Sequence, residues 1–201
     1  MNRALTIRAG VAVFAAVAAW VLFFGLPKWY AARRTATITA AGTAVAPPPG
    51  TPVRKITATL FYVSEDGTSL VQAQREVPFS PSVAAQARAI IEAQLAPAPP
   101  LLSAIPPEAK LREVFVTERG DAFVDLSGEV ASKHSGGSLD EIFTVYTIVD
   151  ALTVNLPAIA RVQLLVDGKE VDTLVGHVDL RHPLAKNLGW LSPADANGKP
   201  Q

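Results

Sequence analysis

The 201-residue sequence has no cysteine, which excludes disulfides, thiolate metal sites and cysteine nucleophiles while leaving the compartment open. It also lacks the short motifs that carry chemistry. There is no G-x-S-x-G, no glycine-rich phosphate loop and no H-E-x-x-H. Acidic side chains are missing from the first 34 residues, which hold about five basic ones. From Arg54 to Leu191 the balance reverses to about five net negative charges. A mildly acidic globular region argues against nucleic acid as a partner, because phosphate backbones call for a basic surface.

What is present divides into four segments. Residues 1–30 read as an N-terminal membrane anchor, with the span at about 9–27. The run AGVAVFAAVAAWVLFFGLP carries no charge, and about 19 residues as a helix nearly cross the ~30 Å hydrocarbon core. Arg3 and Arg8 precede it; Lys28, Trp29, Tyr30, Arg33 and Arg34 follow, as interfacial aromatics and flanking cations do. A cleaved signal peptide is the competing reading, but its apolar region is shorter, and Ala44-Val45-Ala46 lies far beyond the run. A retained anchor is favoured. Cations on both flanks leave the orientation open. Residues 31–54 form an Ala/Thr/Pro-rich linker, which at ~3.1 Å per residue reaches up to about 70 Å. Residues 55–184 form the globular domain, and 185–201 a C-terminal tail.

Within the domain, Ile56 to Val63 and Ser69 to Val77 read as strands joined by Glu65-Asp66-Gly67. Ser80 is the expected N-cap of a first helix, with Pro81 in its first turn. Val83, Ala87, Ile90, Ile91 and Leu95 form its apolar stripe, and Pro97, Pro99 and Pro100 stop it. A proline-rich loop leads to a second hairpin, Lys110 to Thr117 and Asp121 to Leu126. SGEVASKHSGGS reads as a flexible loop in which His134 is exposed. Ser138 and Glu141 suggest a capping box for a second helix, whose stripe is Leu139, Ile142, Phe143, Tyr146, Val149 and Leu156. VQLLVDGKEVDTL is a third hairpin. The expected class is α+β, in the order ββα-ββα-ββ, with two helices packed on one face of a largely antiparallel sheet.

No catalytic, cofactor-binding or metal-ligating residue is assigned. Asp167-Gly168 reads as a tight turn, because glycine tolerates positive φ there. His177, Asp179 and His182 lie close in sequence but match no ligand spacing, and read as surface residues. Asp140 and Glu141 suit the positive end of their helix, a stabilising role. The prolines of Ala96 to Pro107 read first as loop-shaping.

Several segments together resemble the GerMN domain, an envelope domain first associated with sporulation and germination proteins. They are LFYVSEDG, LLSAIPPEAKL, DAFVDLS and IFTVYTIVDALTVNLPAIARVQLLVDGK, spanning roughly Ile56 to Leu184. Ile105-Pro106-Pro107, Val124-Asp125-Leu126 and Val166-Asp167-Gly168 resemble family signatures. DALT departs from the more usual N-T-L-T, with Asp150 and Ala151 in place of Asn and Thr. The resemblance implies an extracytoplasmic domain tethered by a lipid or a membrane helix, with a fold similar to ring-building domains of secretion-type assemblies; with the apolar run at 9–27, the expected location is the cell membrane, single-pass, with the domain on the extracytoplasmic side. It implies no catalytic residues and no cofactor. The expected function is a non-catalytic interaction or scaffold domain of a cell-envelope assembly, with other envelope proteins, or further copies of itself, as partners. The alternative is a binding module for a small ligand or cell-wall glycan.

Overall fold

A computed structural model of the protein describes residues 54–193. The expected span at 9–27 and nearly all of the linker lie outside the described residues. Among those described, no helix is long and apolar enough to cross a membrane.

The strands form where β-branched and aromatic residues are dense. β1 (Lys55–Val63) and β2 (Leu70–Pro78) make an antiparallel hairpin in continuous register from Lys55↔Pro78 to Val63↔Leu70. Ala58, Leu60, Phe61 and Tyr62 are fully buried. Burying a Leu or Phe side chain contributes about 1.5–3 kcal/mol, so this short run is a main stabilising segment. The turn is held by Asp66, which accepts the Thr68 N–H (3.1 Å) and the Ser64 hydroxyl (2.6 Å).

α1 (Val83–Leu95) buries Ala87, Ile90 and Ile91, as its periodicity predicts. Its N-cap is Ser82, whose hydroxyl accepts from the Ala85 N–H, and not Ser80. β3 (Leu111–Val116) and β4 (Asp121–Leu126) form the second hairpin. α2 (Glu129–Ser132) is a single turn inside the segment expected to be a flexible loop; Val130 anchors it in the core. α3 (Ser138–Asn155) is the long helix. β5 (Arg161–Val166) and β6 (Lys169–Glu170) close the third hairpin, and β7 (Leu184–Ala185) also pairs with β5.

The α+β class holds, and pairing is mostly antiparallel. The strands divide between two sheets where one was expected: β1-β2, and β3-β4-β5-β6 with β7 beside β5. β4 and β5 are parallel. Residues 127–160 between them carry α2 and α3, the long crossover that a parallel pair requires. α3 packs against β1 and β5, and α1 against β1, β2 and β3, so the helices bridge the two sheets.

That position explains why α3 is buried around most of its girth, polar residues included: Glu141, Thr144, Thr147 and Asp150 all lie inside. The segment after β7 packs back onto α3 and the start of β2. Trp190 meets Phe143 edge-on, with centroids 6.3 Å apart; Leu191 bridges Leu70, and the Ser192 N–H donates to the Leu70 carbonyl (2.8 Å).

The outer edge of β1 is closed by side chains. Gln94, fully buried on α1, accepts the Phe61 N–H (3.0 Å) and donates to the Phe61 carbonyl (2.6 Å). Asn155, at the end of α3, does the same for Thr59, at 2.8 and 2.7 Å. Two carboxamides thus imitate a neighbouring strand. An unpaired strand edge invites association, and these amides remove it.

Candidate functional site

Four clusters gather around inward-turned carboxylates and His134. The first is the third hairpin's turn. Asp167 (φ 51°) and Gly168 (φ 76°) both adopt positive φ, the pattern of a type I′ turn. Asp125, 6% exposed on β4, accepts the Gly168 N–H through Oδ1 (2.7 Å) and the Arg112 Nε–H through Oδ2 (3.0 Å). Arg112 also reaches Asp167 Oδ1 (3.5 Å), which accepts the Gly128 N–H (3.2 Å). The cluster ties β3, β4, the turn and the start of α2 together. Both Asp125 oxygens are engaged, so the carboxylate works as a joint.

The second cluster centres on Glu141, which is fully buried in the first turn of α3. The expected capping box is absent. Gly137 stands at the N-cap and makes no side-chain cap bond. Glu141 instead accepts the N–H groups of Leu174 (2.8 Å), Val175 (3.0 Å) and His177 (2.8 Å), and the His177 Nδ1–H (3.0 Å). Burial pushes this carboxyl up. The backbone donors and the imidazole outweigh burial and hold it below its ordinary value. His177 is therefore partnered, although its side chain is 42% exposed.

The third is Asp150, 1% exposed on α3. Oδ1 accepts the Asn187 N–H (2.9 Å), and Oδ2 has no partner among the described residues. Burial pushes the carboxyl up to about 6, against the opposing effects of the Asn187 N–H and nearby Lys186. Here burial wins because one backbone donor faces it, where Glu141 has three and a ring.

The fourth corrects the reading of His134 as an exposed loop residue. Its Nδ1 accepts the Gly136 N–H (3.0 Å), which leaves the proton on Nε2 to face the Thr144 hydroxyl (3.0 Å). Thr144 donates in turn to the Ala104 carbonyl (2.6 Å). The ring pins the loop before α3 to the proline-rich segment, where the Pro99–Pro100 peptide is cis.

The remaining candidates lie outward. Asp179 pairs with Arg181, whose guanidinium holds its carboxyl well below the usual range, and His182 is exposed. Asp140 is exposed and accepts the Ser135 hydroxyl (3.1 Å). Among the described residues, no group of three or more His, Asp or Glu side chains is placed to hold a metal ion. The structure brings none of His177, Asp179 and His182 together as a ligand set.

The Asp125 joint unites two of the segments that resemble family signatures, Val124-Asp125-Leu126 and Val166-Asp167-Gly168, within one hydrogen-bond network. The family profile named Germane, described as sporulation and spore germination, matches residues 59–172. The chain belongs to the Germane family. A single copy of the GerMN-type domain lies within the matched region.

No curated protein matches the chain. Three solved structures are similar to the Germane domain described here. A protein of Clostridium perfringens assigned as a lipoprotein is 23% identical, with a TM-score of 0.48, covering 67% of this chain and 90% of its own. The tandem GerMN domains of the sporulation protein GerM from Bacillus subtilis are 18% identical, with a TM-score of 0.49, covering 67% of this chain and 46% of their own. The first GerMN domain of the same protein is 21% identical, with a TM-score of 0.48, covering 70% of this chain and 99% of its own.

Proposed function

We propose that this chain is a membrane-anchored, extracytoplasmic and non-catalytic interaction domain, a scaffold component of a cell-envelope assembly. One observation carries the reading. The inward-facing carboxylates, Asp125, Glu141 and Asp150, each accept backbone N–H groups from a distant turn or segment, and so serve the fold. Family membership and the long uncharged run before the linker support the placement.

The test has two parts. Protease added to intact spheroplasts is expected to digest the domain from outside; protection until lysis refutes the orientation. In-membrane crosslinking then compares the intact chain with one whose domain is replaced by an unrelated fold on the same anchor. Specific protein partners are expected to disappear with the replacement. A domain that captures no protein, yet binds a purified glycan or small ligand saturably, is a binding module instead.

A further inference from the structure

Two cavities meet at Leu102. One, of about 440 Å³, is lined by Val63, Glu65, Val71 and Ala73 of the first hairpin and by Leu101 and Leu102. The other, of about 290 Å³, runs from Val63 and Leu102 to Asp140 and Phe143 at the start of α3. They share Val63 and Leu102 and so form one groove, with Leu102 as its ridge.

Three features of the groove point to an occupant. First, Leu102 is 52% exposed, although its backbone is fixed by the bond from the Val63 N–H to its carbonyl (2.8 Å). With the backbone already fixed, contact orders only the side chain, so more of the apolar burial is available to affinity. Secondly, apolar side chains floor both cavities, Val71, Ala73 and Leu101 in one and Ala104 with the nearly buried Phe143 in the other, with serines and Gln72 beside them. Thirdly, each cavity has one charged lining residue, Glu65 in the first and Asp140 in the second, both acidic and both exposed, so an acid stands on either side of the shared pair Val63 and Leu102.

We infer that this groove docks an extended segment of a partner protein, apolar in its middle and basic at both ends, laid across Leu102. Charge complementarity selects the ends, and the aliphatic lining selects the middle. A second copy presenting the same groove would set acid against acid. A glycan would find Phe143 as its sole aromatic lining. The inference rests on the scaffold reading and names the chemistry of a partner.

The probes are two fluorescent peptides, KLVLK and ELVLE, titrated against the full chain in non-ionic detergent with empty micelles as reference. Saturable binding of KLVLK is expected, at least about tenfold tighter than ELVLE. Leu102→Ser, at an exposed position, is expected to weaken KLVLK about tenfold with unchanged melting. Glu65→Gln combined with Asp140→Asn should abolish the preference for basic ends. The inference is overturned if KLVLK shows no binding below about 1 mM, or if Leu102→Ser binds it as well as the parent. It is also overturned if Leu102→Ser instead dissolves a self-association, or if a soluble peptidoglycan fragment displaces the probe. Partners captured in membranes alongside silent titrations would leave the scaffold reading standing and remove this groove alone.

Discussion

Replacing Asp150 by Asn should stabilise the domain at neutral pH and lose that advantage in acid. The carboxyl titrates near 6 in the folded chain and near 3.8 when solvated. The folded state therefore holds this proton more tightly than the unfolded state does. Below the lower value both states are protonated and the group is neutral towards stability. As pH rises from there through about 6, ionisation is progressively favoured by unfolding, and stability falls. At 1.36 kcal/mol per unit, the difference amounts to about 3 kcal/mol by pH 7.

An Asn side chain keeps an oxygen for the Asn187 N–H but places an unpartnered amide where Oδ2 stood. That exchange carries its own cost, about 1–3 kcal/mol, which does not vary with pH. The informative quantity is thus the pH dependence of the difference between variant and parent. Thermal melts of both chains between about pH 4 and pH 7.5 should show the difference growing by about 2.4 kcal/mol in favour of Asn, on the order of 8 °C in a domain of this size. A difference that stays flat, or grows in favour of Asp, would refute the claim that Asp150 is buried without compensation.

Three further perturbations probe the other joints. Glu141→Ala strands the N–H groups of Leu174, Val175 and His177 and should cost about 3–5 kcal/mol in urea unfolding. Glu141 is held below its unfolded value, so its stabilising share is present above that value and lost as pH falls through the folded one, opposite in sign to Asp150. Gly168→Val forces a β-branched residue to φ 76° and should cost about 1–3 kcal/mol, whereas Asp167→Asn should be nearly silent in melting and in partner capture. Gln94→Leu leaves both Phe61 backbone groups unpaired in the core; a loss of about 2–4 kcal/mol is expected, and a neutral result would show that water reaches this edge.

Local chemistry made the hairpins and helices readable. Runs such as ITATLFYV meet turn residues at Gly67 and Gly168, and the apolar positions of α1 fall at helical spacing. What escaped is non-local. The Glu141 carboxylate looks like half of a capping box because Ser138 stands three residues before it, yet its donors come 33 to 36 residues later. α2 is one turn long, too short to show a period. Gln94 and Asn155 look like polar interruptions at helix ends; their role depends on a strand edge whose position no local pattern reveals. Parallel pairing of β4 with β5 hides for the same reason.

Two buried acids on one helix are treated unequally, and the number of donors that each meets decides the outcome. Glu141 and Asp150 lie nine residues apart on α3, both within 1% of complete burial. Glu141 is met by three backbone donors and an imidazole, and its charge is the favoured form. At Asp150 a single N–H meets the carboxylate. A neutral amide would satisfy that one donor without burying a charge. Asp150 is kept buried by the segment from Leu184 to Ser192, which β5, Phe143 and Leu70 secure independently. Because those contacts do not depend on the carboxylate, the Asn variant should keep Trp190 against Phe143, and an unchanged Trp190 emission spectrum alongside the shifted pH profile would separate lost charge from lost packing.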